Sequence, residues 1–291
     1  MADSQAVASL RTGSVLLCLC ALFLFSALDA TAKHLSAFLA VPLLVWARYL
    51  VHLLIMVLTI LPGQGRGIIL TRRPWLMGLR GVTLAGVTLL GQLALYTLPL
   101  AETTALIFVA PLLVALLAGP LLGEQVRSRT WLATVAGFAG VLLIARPGGN
   151  LAATGVACAL GAALCYAAYQ ILTRKLVATE PPMRLLFYTA LLGTLVMSPV
   201  VPVFWDGRLP SFGQGLLVVS LGVYGGLGHL LLIRAFRETP ASLLSPLLYI
   251  QLVWATLLGW LVFDHLPDLP AIGGMLIIGG SGLSLAIGRP R

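Results

Sequence analysis

Charge is what this sequence has least of. Asp, Glu, Lys and Arg make up 9% of its 291 residues, against roughly 25% in a soluble globular chain, which must cover itself with polar surface. With 59% hydrophobic residues and a mean hydropathy of +1.03, this chain cannot cover itself that way, and its solvent is lipid. The parts of an enzyme are missing too. The four His and nine acidic residues are scattered, and no nucleophile, base or metal ligands converge in the pattern. Cys18, Cys20, Cys158 and Cys165 fall inside apolar runs and form no C-x-x-C pair, so they read as small packing residues rather than zinc or redox ligands. The phosphate-binding pattern G-x-x-x-x-G-K-[ST] does not occur, and no cofactor is expected. The formal charge of +9 suggests nucleic acid until its location is considered. The Arg and Lys lie in short stretches between apolar runs, where basic residues orient membrane helices, so nucleic acid is excluded as a partner.

What is present is a series of apolar runs of about 20 residues, long enough to cross a bilayer. They predict ten spans, at 14–34, 41–61, 75–97, 102–121, 130–146, 151–173, 183–204, 213–236, 240–262 and 268–287. The connections are short and carry the turn residues, as in Pro62-Gly63-Gln64-Gly65 and Arg146-Pro147-Gly148-Gly149. With the N-terminus in the cytoplasm, 14 of the 18 basic residues lie inside, among them Arg72, Arg73, Arg80, Arg127, Arg174 and Arg234. Lys33, Arg48, Arg146 and Arg208 remain in the outer half. That asymmetry predicts an inner-membrane protein with both termini cytoplasmic. The first run has the look of a cleaved leader, but it has a counterpart in the second half and is read as a structural helix.

The halves repeat. A shift of about 140 positions, within the small insertions that repeats tolerate, aligns Gly123-Glu124 with Phe263-Asp264, Gly137 and Gly140 with Gly279 and Gly282, and Arg146-Pro147 with Arg289-Pro290. The same shift sets Ala32-Lys33-His34-Leu35 against Thr173-Arg174-Lys175-Leu176. Five spans per copy is an odd number, so the second copy enters the membrane from the opposite side. The predicted fold class is all-α integral membrane, ten transmembrane helices in two inverted five-helix repeats, bounded at 12–147 and 150–288. Inverted repeats are a signature of secondary transporters, which open a midplane site alternately to each side.

The stretch Arg73-Pro74-Trp75, Leu79-Arg80-Gly81, Ala101-Glu102-Thr103-Thr104-Ala105, Pro111-Leu112, Gly123-Glu124, Gly137-Phe138-Ala139-Gly140-Val141 and Arg146-Pro147 resembles the EamA unit of the drug/metabolite transporter superfamily. It is echoed by Ala235-Phe236, Pro240-Ala241, Ser245-Pro246, Tyr249 and Asp264. The resemblance covers nearly the whole chain and implies a ten-helix fold with a central cavity. Asp29-Ala30-Thr31-Ala32-Lys33 followed by Arg48 is most similar to members carrying S-adenosylmethionine, riboflavin or amino-acid-derived metabolites such as opine metallophores. That branch contains importers and exporters. Export is the first reading, and uptake of S-adenosylmethionine or riboflavin is the alternative. A scaffold or a membrane enzyme is the reading from another class. The expected partners are a small-molecule substrate, the bilayer and protons as candidate coupling ion, in a monomer or homodimer.

Polar residues inside the spans are the candidate site, because a charge at bilayer depth costs about 2.5 kcal/mol or more on insertion scales. Asp29 and Lys33 are four apart on one helical face and can pair. Arg48, about 10 Å deep in the second span by its rise per residue, can instead pair with Asp29 or meet a substrate carboxylate in a two-point fork. Glu102 opens the fourth span, where an acid complements the helix dipole, while Glu124 and Asp264 read as structural helix ends. His229 sits on a Gly-rich stretch (Gly222, Gly225, Gly226, Gly228) of the eighth span. Gln92 and Tyr96 on the third span, Tyr166, Tyr169 and Gln170 on the sixth, and Tyr249, Gln251 and Trp254 on the ninth combine flat apolar faces with hydrogen-bonding tips. Such side chains suit a cavity wall better than lipid. No metal site is expected.

Overall fold

The computed structural model describes residues 2–59, 63, 65–122, 128–146, 150–177, 179–205, 207–238 and 245–287. Everything regular in them is helical, as a chain in lipid requires: only a helix or a closed barrel satisfies its own backbone polar groups there. Five helices are long and apolar enough to span a membrane, namely Gly13–Leu35, Val41–Thr59, Pro74–Thr97, Ala153–Leu176 and Phe212–Ala235. Five shorter apolar helices, Leu100–Val114, Trp131–Ala145, Pro182–Met197, Leu247–Phe263 and Leu269–Ser284, fall on the remaining predicted spans. Glu124, Arg127, Pro147, Pro240, Ala241, Arg289 and Arg291 lie outside the described residues.

Three spans differ from their hydropathy outlines. The first helix begins at Ala2, well before the apolar run. The seventh ends at Met197 and resumes as the short Val201–Phe204. The fourth is two helices, Leu100–Ile107 and Ala110–Leu122. Pro111 has no N–H to offer the carbonyl of Ile107, so the ladder fails one turn upstream. There Val109 donates to Leu106 instead, at 3.3 Å. The ninth span has its own irregularity, a 3-10 turn over Ser245–Tyr249 before the helix Ile250–Phe263. Phe108 and Tyr249, at the two breaks, are related by the repeat shift and so occupy the same place in the two copies. Their rings meet edge-on with centroids 5.5 Å apart.

Packing follows the duplication. The third span packs most on the sixth and the first on the eighth, and exchanging the halves turns one pair into the other. The second–eighth and third–seventh pairs are likewise exchanged, and the fifth–tenth pair maps onto itself. Close approach needs glycine at matching points. A Cβ on Gly81 would strike Leu192, and one on Gly222 would strike Val51. The repeat shift carries position 81 onto 222 and position 51 onto 192, so the two contacts are one contact made twice.

The inversion is visible in the contacts. Lys33, near the end of the first span, reaches the carbonyls of Leu95 and Leu98 at the end of the third, so those two spans run the same way. Gly155, at the start of the sixth, abuts Thr97 and Leu98, while Thr173 near its end bonds Arg80 near the start of the third. The sixth span therefore runs opposite to the first, its counterpart.

Candidate functional site

A cavity of about 170 Å³ lies at the centre of the bundle. Its polar wall includes Asp29, Arg48, Gln92, His229 and Gln251, all singled out in the sequence. Helical spacing brings neighbours with them. On the third span Leu84, Thr88, Gln92 and Leu95 share one face at intervals of three or four residues and all line the cavity. Thr103 and Thr104 enter from the first turn of the fourth span, and Phe25, Phe108 and Tyr166 supply aromatic faces.

The charges are arranged differently from the sequence expectation. Asp29 and Arg48 both face the cavity and are half-buried, yet among the described residues they make no direct hydrogen bond or ion pair with each other. Lys33 does not pair with Asp29 either. Its ammonium donates to the carbonyls of Leu95 and Leu98, at 2.5 and 2.6 Å. The cause is local: the residue that would normally donate to the Leu95 carbonyl is Pro99, which has no N–H. Lys33 thereby ties the C-terminal ends of the first and third spans, and its ammonium lies 5.6 Å from the centre of the Phe263 ring. Beside it Glu102 is 3% exposed rather than at the surface, because the end of the ninth span covers it and His265 meets its carboxylate at 3.2 Å.

His229 has a companion, His52, four residues beyond Arg48 on the second span. The two imidazoles lie nearly parallel with centroids 6.5 Å apart, and Phe25 meets His229 edge-on at 4.9 Å. Nε2 of His52 and Oε1 of Gln92 are buried without a hydrogen-bond partner among the described residues. Tyr49 donates or shares its hydroxyl with Thr88 at 2.6 Å and lies under the Arg48 guanidinium, 6.0 Å from ring centre to Cζ.

The other predicted residues sit elsewhere. Tyr169 and Gln170 line a separate cleft of about 400 Å³ with Val114, Thr173 and Arg174, toward the end of the bundle that carries Pro74 and Leu176. Tyr249 and Trp254 are packed rather than lining, Tyr249 against Phe108 and Trp254 against Phe23 at 5.2 Å. Their hydroxyl and indole N–H are buried without a hydrogen-bond partner among the described residues. Tyr96 points outward at 59% exposure. Sequence reasoning missed His52 and Thr88, although each stands one helical turn from a residue it did select. It also missed Arg80, which had been counted only as an orienting charge. Among the described residues no three His, Cys, Asp or Glu side chains are placed to hold a metal.

Between the cavity and the cleft stands Arg80, 4% exposed. Its Nε donates to Thr173 (2.7 Å), Nη1 to Thr189 (2.8 Å) and the Leu185 carbonyl (2.9 Å), and Nη2 to the Tyr169 hydroxyl (2.7 Å). The third, sixth and seventh spans are joined by this one side chain.

Known proteins share this architecture. A solved crystal structure superposes with a TM-score of 0.66 at 22% identity, covering 94% of this chain and 96% of its own. An S-adenosylmethionine uptake transporter of Rickettsia prowazekii is 28% identical over 214 residues, 74% of this chain and 72% of the relative. A pseudopaline exporter of Pseudomonas aeruginosa is 30% identical over 280 residues, 94% and 95% of the two chains. A riboflavin transporter of Vibrio cholerae is 29% identical over 198 residues, 66% and 62%. The EamA-like transporter family matches twice, over residues 12–146 and again over 153–286. The family match thus covers both halves of the chain around the central cavity, and the chain belongs to the EamA-like transporter family, a multi-pass membrane carrier of small molecules and not an enzyme.

Proposed function

We propose that the chain moves a small zwitterionic metabolite, amino-acid-derived or cofactor-like, across the inner membrane by alternating access through the central cavity. One observation carries this reading: Asp29 and Arg48 present opposite charges to a single cavity without bonding each other. Two charges at bilayer depth left apart are costly, and a ligand bearing an ammonium and a carboxylate satisfies both. The guanidinium binds the carboxylate in a fork, Asp29 takes the ammonium, and Gln92, Thr88 and Gln251 supply neutral hydrogen bonds. Phe25, Phe108 and Tyr166 offer faces to an apolar body. At about 170 Å³ the cavity is smaller than the roughly 300–1,000 Å³ of drug-sized sites, so this state admits a head group and must widen for the rest.

Export is the direction we favour, supported by the pseudopaline exporter, which matches over 94% of the chain. Uptake is the second reading, supported by the S-adenosylmethionine uptake transporter. The distribution of basic residues supports cytoplasmic termini at both ends, and without an ATP-binding motif the proposed driving force is an ion gradient, with protons the candidate, or the solute gradient itself. The test is transport in liposomes loaded with S-adenosylmethionine, riboflavin or a panel of amino acids. Arg48→Gln and Asp29→Asn should insert normally and lose at least about tenfold in kcat/KM, the value of one charge-assisted hydrogen bond of about 1.5 kcal/mol. An Arg48→Gln protein that transports at the wild-type rate ends this reading.

A further inference from the structure

The repeat makes Arg80 conspicuous. Its counterpart under the repeat shift is Leu221, 1% exposed among Leu28, Leu35 and Leu44 where the first span packs on the eighth. That contact is the repeat image of the third–sixth contact where Arg80 sits. A leucine therefore holds the equivalent helix junction, and packing alone does not call for a guanidinium. Burying one there is costly, and apolar replacements of buried charges are often neutral or stabilising. Among the described residues no carboxylate meets Arg80; its four bonds go to two threonines, a tyrosine and a backbone carbonyl, all neutral. Two of those partners, Tyr169 and Thr173, also line the cleft of about 400 Å³. On the other side, Arg80 lies one turn below Leu84 and two turns below Thr88, on the face of the third span that forms the cavity wall.

The position is related to Arg48 by the duplication. Thr189, which accepts from Arg80, occupies in the second repeat the place that Arg48 occupies in the first. One cationic fork thus stands at position 48 and another beside its repeat image, one in the cavity and one at the boundary of the cleft.

We infer that Arg80, held at rest by Tyr169 and Thr173, is a second anion station, which takes the carboxylate of the substrate as it passes between the central cavity and the cleft. The carboxylate displaces the neutral acceptors and pairs with the guanidinium in a two-point fork. The idea that this anion belongs to the transported solute rests on the function proposed above; the anion site itself does not.

The test uses full-length protein in inside-out vesicles, with the four cysteines replaced by serine and Gln170→Cys as reporter in the cleft. The reagent is an anionic sulfonatoethyl methanethiosulfonate, and succinate is the competing probe. Succinate should slow modification saturably, and Arg80→Lys, which keeps the charge but loses the fork, should raise the half-protecting concentration at least fivefold. Tyr169→Phe removes a neutral competitor from the guanidinium and should lower it. Equal protection in wild type and Arg80→Lys overturns the inference; if Arg80→Lys does not fold, an unchanged half-protecting concentration in Tyr169→Phe does so. Loss of protection in Arg48→Gln also overturns it, because the anion would then be held in the cavity. Protection that depends on Arg80 in a protein whose Arg48→Gln variant still transports normally keeps the station and removes the proposed central site.

Discussion

Replacing Lys33 by methionine should open the end of the bundle that carries it, the outer end in the orientation proposed above. Methionine keeps most of the side-chain length and removes the ammonium, which in the native protein reaches the carbonyls of Leu95 and Leu98 at 2.5 and 2.6 Å. The Leu95 carbonyl regains no donor, since Pro99 follows where the helix would otherwise supply an N–H. A hydrogen bond to a charged group contributes about 1.5–3 kcal/mol. Lys33 is only half-buried, so solvent screening discounts the pair to about 3 kcal/mol in total. If outward opening separates the first span from the third, that is a shift of about a hundredfold in the open-to-closed ratio, at about 1.4 kcal/mol per decade. Thr104, 6% exposed and in the cavity wall, is the reporter. In a cysteine-free protein carrying Thr104→Cys, an impermeant maleimide applied from outside should react at least tenfold faster when Lys33 is methionine. Lys33→Arg, which keeps a donor, should stay near the parent rate. A methionine variant that is folded and labels within twofold of its parent refutes the reasoning, because the tie would then contribute nothing to closure.

Two other predictions concern the frame around the site. Gly81→Ala and Gly222→Ala should each destabilise by about 1–3 kcal/mol, as overpacking does, since the added methyl meets Leu192 in one case and Val51 in the other. Thermal unfolding in detergent should give similar losses for the two, and a loss confined to one would break the structural equivalence of the repeats. Glu180 is 2% exposed in the loop before the seventh span; burial pushes its pKa up, but donors outweigh this and hold the carboxyl below the ordinary 4.5. They are the Thr71 hydroxyl at 2.6 Å, the Arg184 guanidinium and the Arg72 N–H at 2.9 Å. A depressed acid stabilises fully above about pH 4.5 and loses that contribution as the pH falls through its folded value. Glu180→Gln should therefore lower stability at neutral pH and flatten the acid limb below pH 4.5, measured by thermal unfolding across pH; an unchanged acid limb would show that this network does not titrate with folding.

The ten spans were legible because hydropathy reads solvent, and for this chain the solvent is lipid along nearly every helix. The repeat was legible in paired glycines, Gly137 and Gly140 against Gly279 and Gly282, because a Cβ at Gly137, Gly140 or Gly282 would strike a neighbouring side chain or backbone. The cavity was legible in part, where a polar side chain at midspan had no other plausible use: Asp29, Arg48, Gln92, His229 and Gln251. Errors came where one property served two purposes. Lys33 read as the partner of Asp29 from spacing alone, although Pro99 had already left a carbonyl unmet on a neighbouring helix. Arg80 read as an orienting charge because it lies near the end of an apolar run, and only its bonds to residues that line the cleft distinguish it. Tyr96 shares a helix with Gln92, but four residues carry a helix past a full circle by about 40°, enough at the end of the span to take the side chain out of the wall.

The breaks in the fourth and ninth spans suggest where the halves pivot. Phe108 and Tyr249 stand at repeat-equivalent points and touch each other, so they lie at the axis that relates the repeats. The fifth and tenth spans also pair across that axis, with Gly140 and Gly274 each against the other's backbone. Contacts at an axis can persist when two bundles exchange roles, whereas contacts away from it must be made on one side and broken on the other. Lys33 is of the second kind, far from the axis and tying the first span to the third. Arg80 is different again, since it joins the third, sixth and seventh spans through one side chain. The frame is symmetric, whereas Asp29, Arg48 and Arg80 face Gln170, Thr189 and Leu221 across the repeat, so the selectivity proposed above rests on charges that the second copy lacks at those places.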